Sequence, residues 1–190
     1  MSEHFRIEGY AIVSSDGMIA DAHSLMPDIL KNEADHRFFE SGLDHVDVVV
    51  HGRNSHESQP NSPLRRRIVV TRRIAAIAPD PDNPRAVLWN PAGASFEEAC
   101  AALGLSSGSA AIIGGPEVYA LFLEVGYDAF HLTRSSRVAL PGGLPVFPQG
   151  RLGRSPEDVL RQYGLEPGSE RALDEANGVT LVTWRRKAPA

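Results

Sequence analysis

The sequence predicts an α/β fold: a single domain whose central mixed, mostly parallel sheet is flanked by helices. Short runs rich in valine and isoleucine recur along the chain, separated by stretches of helical spacing or by Gly/Pro/Asn punctuation. Several of these runs, Val48-Val49-Val50 and Ala111-Ile112-Ile113 among them, are continuously apolar rather than alternating, as expected of strands buried on both faces. With 190 residues, 42% hydrophobic and 23% charged, the chain is long and apolar enough for one globular core.

Strands are expected at residues 9–13, 47–51, 68–71, 86–89, 110–114, 128–133 and 179–185. A helix at about 33–41 carries Phe38 and Phe39. Ser95-Phe96-Glu97-Glu98 has the capping-box pattern, in which the serine accepts a free N–H and the glutamate reaches back, and it opens a helix to about Leu103. Pro116 suits a first helical turn, where its missing N–H costs nothing, and Val118, Leu121, Phe122 and Val125 then recur at helical spacing. Ser155-Pro156-Glu157-Asp158 repeats that start. Residues 77–85 and 140–149 hold clustered prolines and read as loops.

A net charge of −5 sets the molecule as a whole against phosphate backbones and anionic lipid, so nucleic acid is not an expected partner. No apolar run reaches the roughly 20 residues that span a bilayer, which speaks against membrane insertion. The single cysteine, Cys100, cannot form an internal disulfide and reads as a small core residue. The start Met-Ser-Glu-His-Phe-Arg lacks the apolar segment of a secretory signal, so a reducing cytoplasm is expected. The seven histidines show no metal-ligand spacing, His51 and His56 being five apart across a turn, and no metal is expected.

The stretch Ala110-Ala111-Ile112-Ile113-Gly114-Gly115-Pro116-Glu117-Val118-Tyr119 runs a buried strand through two glycines straight into a helix. Residues without side chains let backbone and ligand approach closely, and a helix start offers unpaired N–H groups to an anion such as a phosphate. A ligand-free tight turn would use the same glycines. His51-Gly52-Arg53-Asn54-Ser55-His56-Glu57, also at a strand end, reads as a second phosphate-contacting loop or as a polar surface turn. Arg65-Arg66-Arg67 and Arg72-Arg73 place five arginines in nine residues around one strand, either a solvated face or an anion site. Asp35, four residues before Phe39 on one helical face, is either a surface carboxylate or a partly buried one that orients a heterocycle and helps to deliver a proton.

These pieces, in this order, resemble the dihydrofolate reductases and, more distantly, the reductase domain of bifunctional riboflavin-biosynthesis proteins. Tyr10-Ala11-Ile12-Val13-Ser14-Ser15-Asp16-Gly17-Met18-Ile19-Ala20 is similar to the family's first strand and active-site loop, and Ala34-Asp35-His36-Arg37-Phe38-Phe39 to its substrate helix. Gly52-Arg53-Asn54-Ser55-His56-Glu57-Ser58 resembles its Gly-Arg-x-Thr-x-Glu-Ser turn, Arg67-Ile68-Val69-Val70-Thr71 the next strand, and Ile113-Gly114-Gly115-Pro116-Glu117-Val118-Tyr119 its Gly-Gly-x-x-x-Tyr signature. His131-Leu132-Thr133-Arg134, Val146-Phe147-Pro148 and the closing Trp184-Arg185-Arg186-Lys187 match as well.

The resemblance implies a single dihydrofolate-reductase-like domain that binds NADPH and reduces a C=N bond of a pterin-like or related heterocycle, a small-molecule substrate. It implies an NADPH groove of Gly52, Arg53, Asn54, Ser55, Thr71, Arg72, Gly114, Gly115, Pro116, Glu117, Val118 and Tyr119, with Ala11 and Ile19 around the nicotinamide. Arg53 and Arg72 would face the extra phosphate of NADPH. Asp35 and Thr133 would serve catalysis, Phe39 would pack on the substrate ring, and Arg65 falls where the family binds a substrate carboxylate. Folate-reducing members carry a Leu-Pro-Trp-like segment where this chain has Leu25-Met26-Pro27-Asp28, without the tryptophan and with extra residues before Asp35. Ser15-Asp16-Gly17-Met18-Ile19-Ala20 is similar instead to the riboflavin-pathway type, whereas Thr133-Arg134 and Phe147-Pro148 lean to the folate side. A riboflavin-type pyrimidine reductase and a catalytically silent NADPH-binding protein are the alternatives. Riboflavin-type relatives pair as dimers and many folate-type ones are monomers, so the resemblance also admits a homodimer.

Overall fold

The computed structural model describes residues 4–55 and 57–187. Eleven strands are described: β1 (Phe5–Ser14), β2 (Met18–Ala20), β3 (Val48–Gly52), β4 (Arg67–Val70), β5 (Ile77–Pro79), β6 (Ala86–Trp89), β7 (Gly108–Ile112), β8 (Ala129–Ser135), β9 (Leu144–Pro145), β10 (Leu165–Asp174) and β11 (Val179–Arg186). The helices are α1 (Glu33–Asp44), α2 (Phe96–Ala102), α3 (Pro116–Val125) and α4 (Pro156–Gln162). Nine strands make one sheet in the order β10-β11-β8-β1-β7-β3-β4-β6-β5, and β2 pairs with β9 apart from it. The six strands from β8 to β6 are parallel, while β5, β11 and β10 each run antiparallel to the neighbour they join. All seven expected strands are present, with ends shifted by a few residues, and the α/β class with a mixed, mostly parallel sheet is the observed one.

The continuous apolar runs lie where burial on both faces requires them. One face of the sheet holds the main core, in which Ile7, Val13, Val50, Ile112 and Phe130 pack with Phe96, Phe122 and Leu160 from α2, α3 and α4. Each such side chain taken out of water stabilises the fold by about 1.5–3 kcal/mol. The other face carries a smaller cluster of Tyr10, Leu43, Val49 and Ala111, with Phe38 and Phe39 of α1 against it. Gly9 marks a tight point of that core: a Cβ there would lie 2.3 Å from the Phe130 ring.

Local signals set the helix ends. Asn32 accepts from the N–H groups of Ala34 and Asp35 at the start of α1. Both halves of the Ser95–Glu98 capping box form, at 3.1 and 2.7 Å. Helix α1 runs on to Asp44, three residues beyond its expected end, because Leu43 is buried in the Tyr10 cluster and rewards another turn.

Four strands lie outside the sequence expectations. β5 and β9 fall in the proline-rich stretches read as loops; Pro79 is tolerated because β5 is the sheet edge, where an N–H can be spared. β2 is a three-residue strand paired only with β9. β10 has a buried Leu165 followed by seven exposed residues, so it lacks the alternation that announces a half-buried strand; pairing with β11 alone makes it.

Candidate active site

The paired glycine turns come together. The Gly52 N–H donates to the Gly114 carbonyl at 2.7 Å, and a Cβ on Gly115 would lie 3.3 Å from Ser55 Oγ. Gly114 has φ of 114°, a region that favours glycine, and a Cβ there would press within 3.2 Å of the Tyr119 ring. The Gly114–Gly115 peptide is cis. Pro116 opens α3 at once, so the helix N-terminus and the Gly52–Ser55 turn border one surface. Val118 and Tyr119 are buried; the Tyr119 hydroxyl donates to the Tyr10 carbonyl, tying α3 to β1. Glu117, Arg53 and Asn54 are exposed, and Ala11 and Ile19 are partly buried against the main core.

Thr71 is buried at the end of β4, its N–H bonded to the Trp89 carbonyl, and its hydroxyl accepts from the Arg73 N–H at 3.2 Å. Arg72 is exposed, and among the described residues neither it nor Arg53 joins an ion pair. Both can therefore meet an anion. His56 lies outside the described residues, as does the Met1–Glu3 part of the N-terminal reading.

On the opposite face, α1 lays Asp35 against Thr133 of β8, which is 1% exposed and hydrogen-bonds the carboxyl. Burial pushes the Asp35 carboxyl up to about 6, opposed by that hydrogen bond and by His36. Phe39, one turn on, is half-buried with its ring 6.0 Å from Tyr10. A carboxyl half-protonated near pH 6, held by a hydroxyl, can donate a hydrogen bond and a proton to a basic ring nitrogen.

The arginine-rich stretch divides. Arg66, Arg72 and Arg73 are exposed, whereas Arg65 and Arg67 are buried. Arg65 lies 2.5 Å from Asp44 and 2.9 Å from Glu57, and Arg67 also bonds Glu57. Arg65 thus stands beside the end of α1 with its charge already matched.

A group around Glu8 lies outside the residues expected from sequence. The Glu8 carboxylate accepts from the Tyr10 hydroxyl at 2.9 Å and lies 3.2 Å from His131 Nε2 and 2.6 Å from Arg6. The His131 ring stacks on Tyr10 and reaches Thr183 through Nδ1. The bond from His131, chiefly, holds the Glu8 carboxyl down at about 2. Alternation along the expected strand 128–133 puts His131 and Thr133 on one face, a signal that the sequence does carry. A separate cavity of about 290 Å³, bordered by Asp16, Met18, Arg134, Phe147 and Pro156, contains none of the expected site residues. Among the described residues no group of three or more His, Cys, Asp or Glu could hold a metal.

No protein-family model and no curated protein sequence matches this chain. Solved structures do. A candidate riboflavin biosynthesis protein from Shewanella sp. PV-4 superposes with a TM-score of 0.67 at 22% identity, covering 97% of this chain and 100% of that one. Dihydrofolate reductase from Enterococcus faecalis, complexed with NADP(H) and RAB-propyl, superposes with 0.62 at 18%, covering 96% and 97%. The chain has the dihydrofolate-reductase-like fold. A pyrimidine reductase-like protein from Corynebacterium diphtheriae follows at 0.66 and 14% identity, covering 97% and 92%. On this dihydrofolate-reductase-like scaffold, every residue expected from sequence to line the cofactor groove lies in a described segment.

Proposed function

We propose that the protein is an NADPH-dependent reductase that reduces a C=N bond of a pterin-like or related nitrogen heterocycle. The observation that carries this is Asp35: a carboxyl raised to about 6, hydrogen-bonded by Thr133 and set one turn from Phe39 on the wall of the site. The residues present fit a dinucleotide phosphate. Two abutting glycine turns leave room for backbone approach, α3 begins at them, and Arg53 and Arg72 stand exposed, outside any ion pair among the described residues. A reduced nicotinamide, when bound, supplies hydride to the carbon of the C=N bond. Gly52 to Ser55, Thr71 and Gly114 to Tyr119 would hold the dinucleotide, Arg53 and Arg72 its extra phosphate, and Ala11 and Ile19 the nicotinamide side. Asp35 hydrogen-bonds the heterocycle and gives its proton to the ring nitrogen, regaining one from water, while Thr133 fixes the carboxyl and Phe39 packs on the ring.

A pyrimidine reductase of the riboflavin type is the second reading, favoured by the Ser15–Ala20 start and by the likeness to the Shewanella and Corynebacterium structures. A reducing cytoplasmic setting accompanies either reading. Titration with NADPH and with NADH, followed by loss of reduced-nicotinamide absorbance on adding dihydropterins or aminopyrimidines, tests them. NADPH-selective binding with turnover supports the proposal, and its substrate names the type. Selective binding without turnover of any heterocycle leaves a silent binder, and absence of binding contradicts the proposal.

A further inference from the structure

Strand β10 exposes seven residues in a row and adds little to the core, yet the hairpin it forms with β11 meets α1 at two points. At the turn end of β10, Asp174 accepts a hydrogen bond from the Asn32 side-chain amide at 2.9 Å. Three residues earlier, Arg171 lays its guanidinium over the Phe38 ring, 5.4 Å from the ring centre. Asn32 and Phe38 each stand three residues from Asp35, so the two contacts bracket it along one strip of the helix. The register of the sheet agrees: Thr133, against which Asp35 lies, pairs with Leu181 of β11, and Leu181 pairs with Arg171 of β10.

The contact at Asn32 reaches Asp35 through consecutive hydrogen bonds. The Asn32 side-chain oxygen caps α1 by accepting from the N–H groups of Ala34 and Asp35, at 3.0 and 3.1 Å, while its NH2 end is the group that Asp174 holds. Capping needs only an acceptor, which serine or aspartate would supply equally well. The donor end of the amide does something else: it fastens the first turn of α1, and with it the Asp35 main chain, to the hairpin. Asp174 is held in turn by the Asn177 side chain at 2.7 Å and the Asn177 N–H at 3.1 Å. Hydrogen bonds from Asn177 and Asn32 keep its carboxyl below the usual range, so it stays ionised where Asp35 titrates.

We infer that Asp174 is a positioning residue for Asp35: through Asn32 it holds the first turn of α1 so that the Asp35 carboxyl lies buried against Thr133. Its use in catalysis rests on the heterocycle-reductase reading above. The charged and titratable groups around Asp35 are His36 on its own helix, Tyr119 of α3, and Arg171 and Asp174 from β10. Burial is what raises the Asp35 carboxyl, opposed by Thr133 and His36; the Asp174 charge plays no part. Loosening the first turn therefore admits water and lowers the carboxyl, whereas removing the Asp174 charge while keeping its hydrogen bond does not.

The test follows the Asp35 side-chain carboxyl resonance by NMR as pH is varied in the cofactor-free protein, assigned with Asp35→Asn, so turnover is not needed. Wild type should titrate at about 6. Asp174→Ala should move the midpoint down by about one pH unit, a tenfold gain in ionisation. Asp174→Asn keeps an acceptor oxygen for the Asn32 amide and should restore the wild-type midpoint. Asn32→Ser keeps the cap without the donor and should copy Asp174→Ala. Asn177→Ala, which breaks only a bond within the hairpin, should leave the midpoint in place. With a dihydropterin that wild type turns over, Asp174→Ala should lower kcat about tenfold with KM for NADPH unchanged. A midpoint unmoved by Asp174→Ala and Asn32→Ser, or a shift as large in Asp174→Asn or Asn177→Ala, overturns the inference. Absence of NADPH oxidation by wild type with dihydropterins and aminopyrimidines, with the midpoints as expected, overturns the reductase reading instead and leaves Asp174 as the residue that positions Asp35.

Discussion

Asp35 and Glu8 are both partly buried carboxylates on the α1 side of the sheet, about 13 Å apart by strand spacing, since Glu8 lies four residues along β1 from Ile12, the register partner of Thr133. One is pushed up to about 6 and the other held at about 2. Burial penalises the charge in both. Glu8 answers it with His131, the Tyr10 hydroxyl and Arg6; Asp35 has the Thr133 hydroxyl and the weaker influence of His36. The fold can therefore compensate a carboxylate on this face, and it leaves Asp35 largely uncompensated. A carboxyl that keeps its proton up to about pH 6 is what the proposed reduction needs, whereas Glu8 is a fastener between β1 and β8.

The largest effect expected from this contrast is on turnover. Asp35→Asn should lower kcat by about 10²–10⁴-fold with NADPH binding retained, while Glu8→Gln should stay within a few-fold of wild type. Equal losses in the two variants, measured by NADPH oxidation, would erase the distinction. In stability, Glu8→Gln should cost about 2–3 kcal/mol at neutral pH. The Glu8 value is lower folded than unfolded, so its contribution is present above the unfolded value of 4.5 and is lost as pH falls toward 2. The deficit of the variant, followed by urea unfolding, should shrink over that window.

Asp35 runs the other way. Its folded value lies above the unfolded 3.8, so the penalty of ionising it is absent in acid, grows from about pH 4 to 6, and is complete above that. Asp35→Asn should therefore gain on the order of 1–2 kcal/mol above about pH 6, allowing for partial exposure, and nothing near pH 4. The smallest effect is that of Thr133→Val. Removing a hydrogen bond that favours the ionised form should move the alkaline fall of kcat to higher pH, with a change of only a few-fold at neutral pH.

What could be read from the sequence follows how local each feature is. The Gly114-Gly115-Pro116 turn, the Ser95–Glu98 box and the Asp35–Phe39 spacing are contained within a few residues, and the structure realises each of them. The partners of Arg65 and Arg67 lie outside the run: Glu57 comes from the preceding turn and Asp44, 21 residues from Arg65, from the end of α1, so the arginine run alone gives no hint that two of its members are paired. Glu8 and His131 are 123 residues apart and meet through the register of β1 and β8. β10 escapes detection because an exposed edge strand buries too little to leave a pattern.

The most direct test of Asp35 as the proton donor is the pH dependence of kcat for NADPH oxidation, with the heterocycle that the enzyme turns over, in wild type and in Asp35→Asn. The wild-type rate should fall as pH rises past about 6, tracking the loss of the Asp35 proton, and the variant should show a slow rate with a flat profile over the same range. A wild-type profile flat from acid to alkaline pH, or a variant that keeps both rate and slope, would contradict that role.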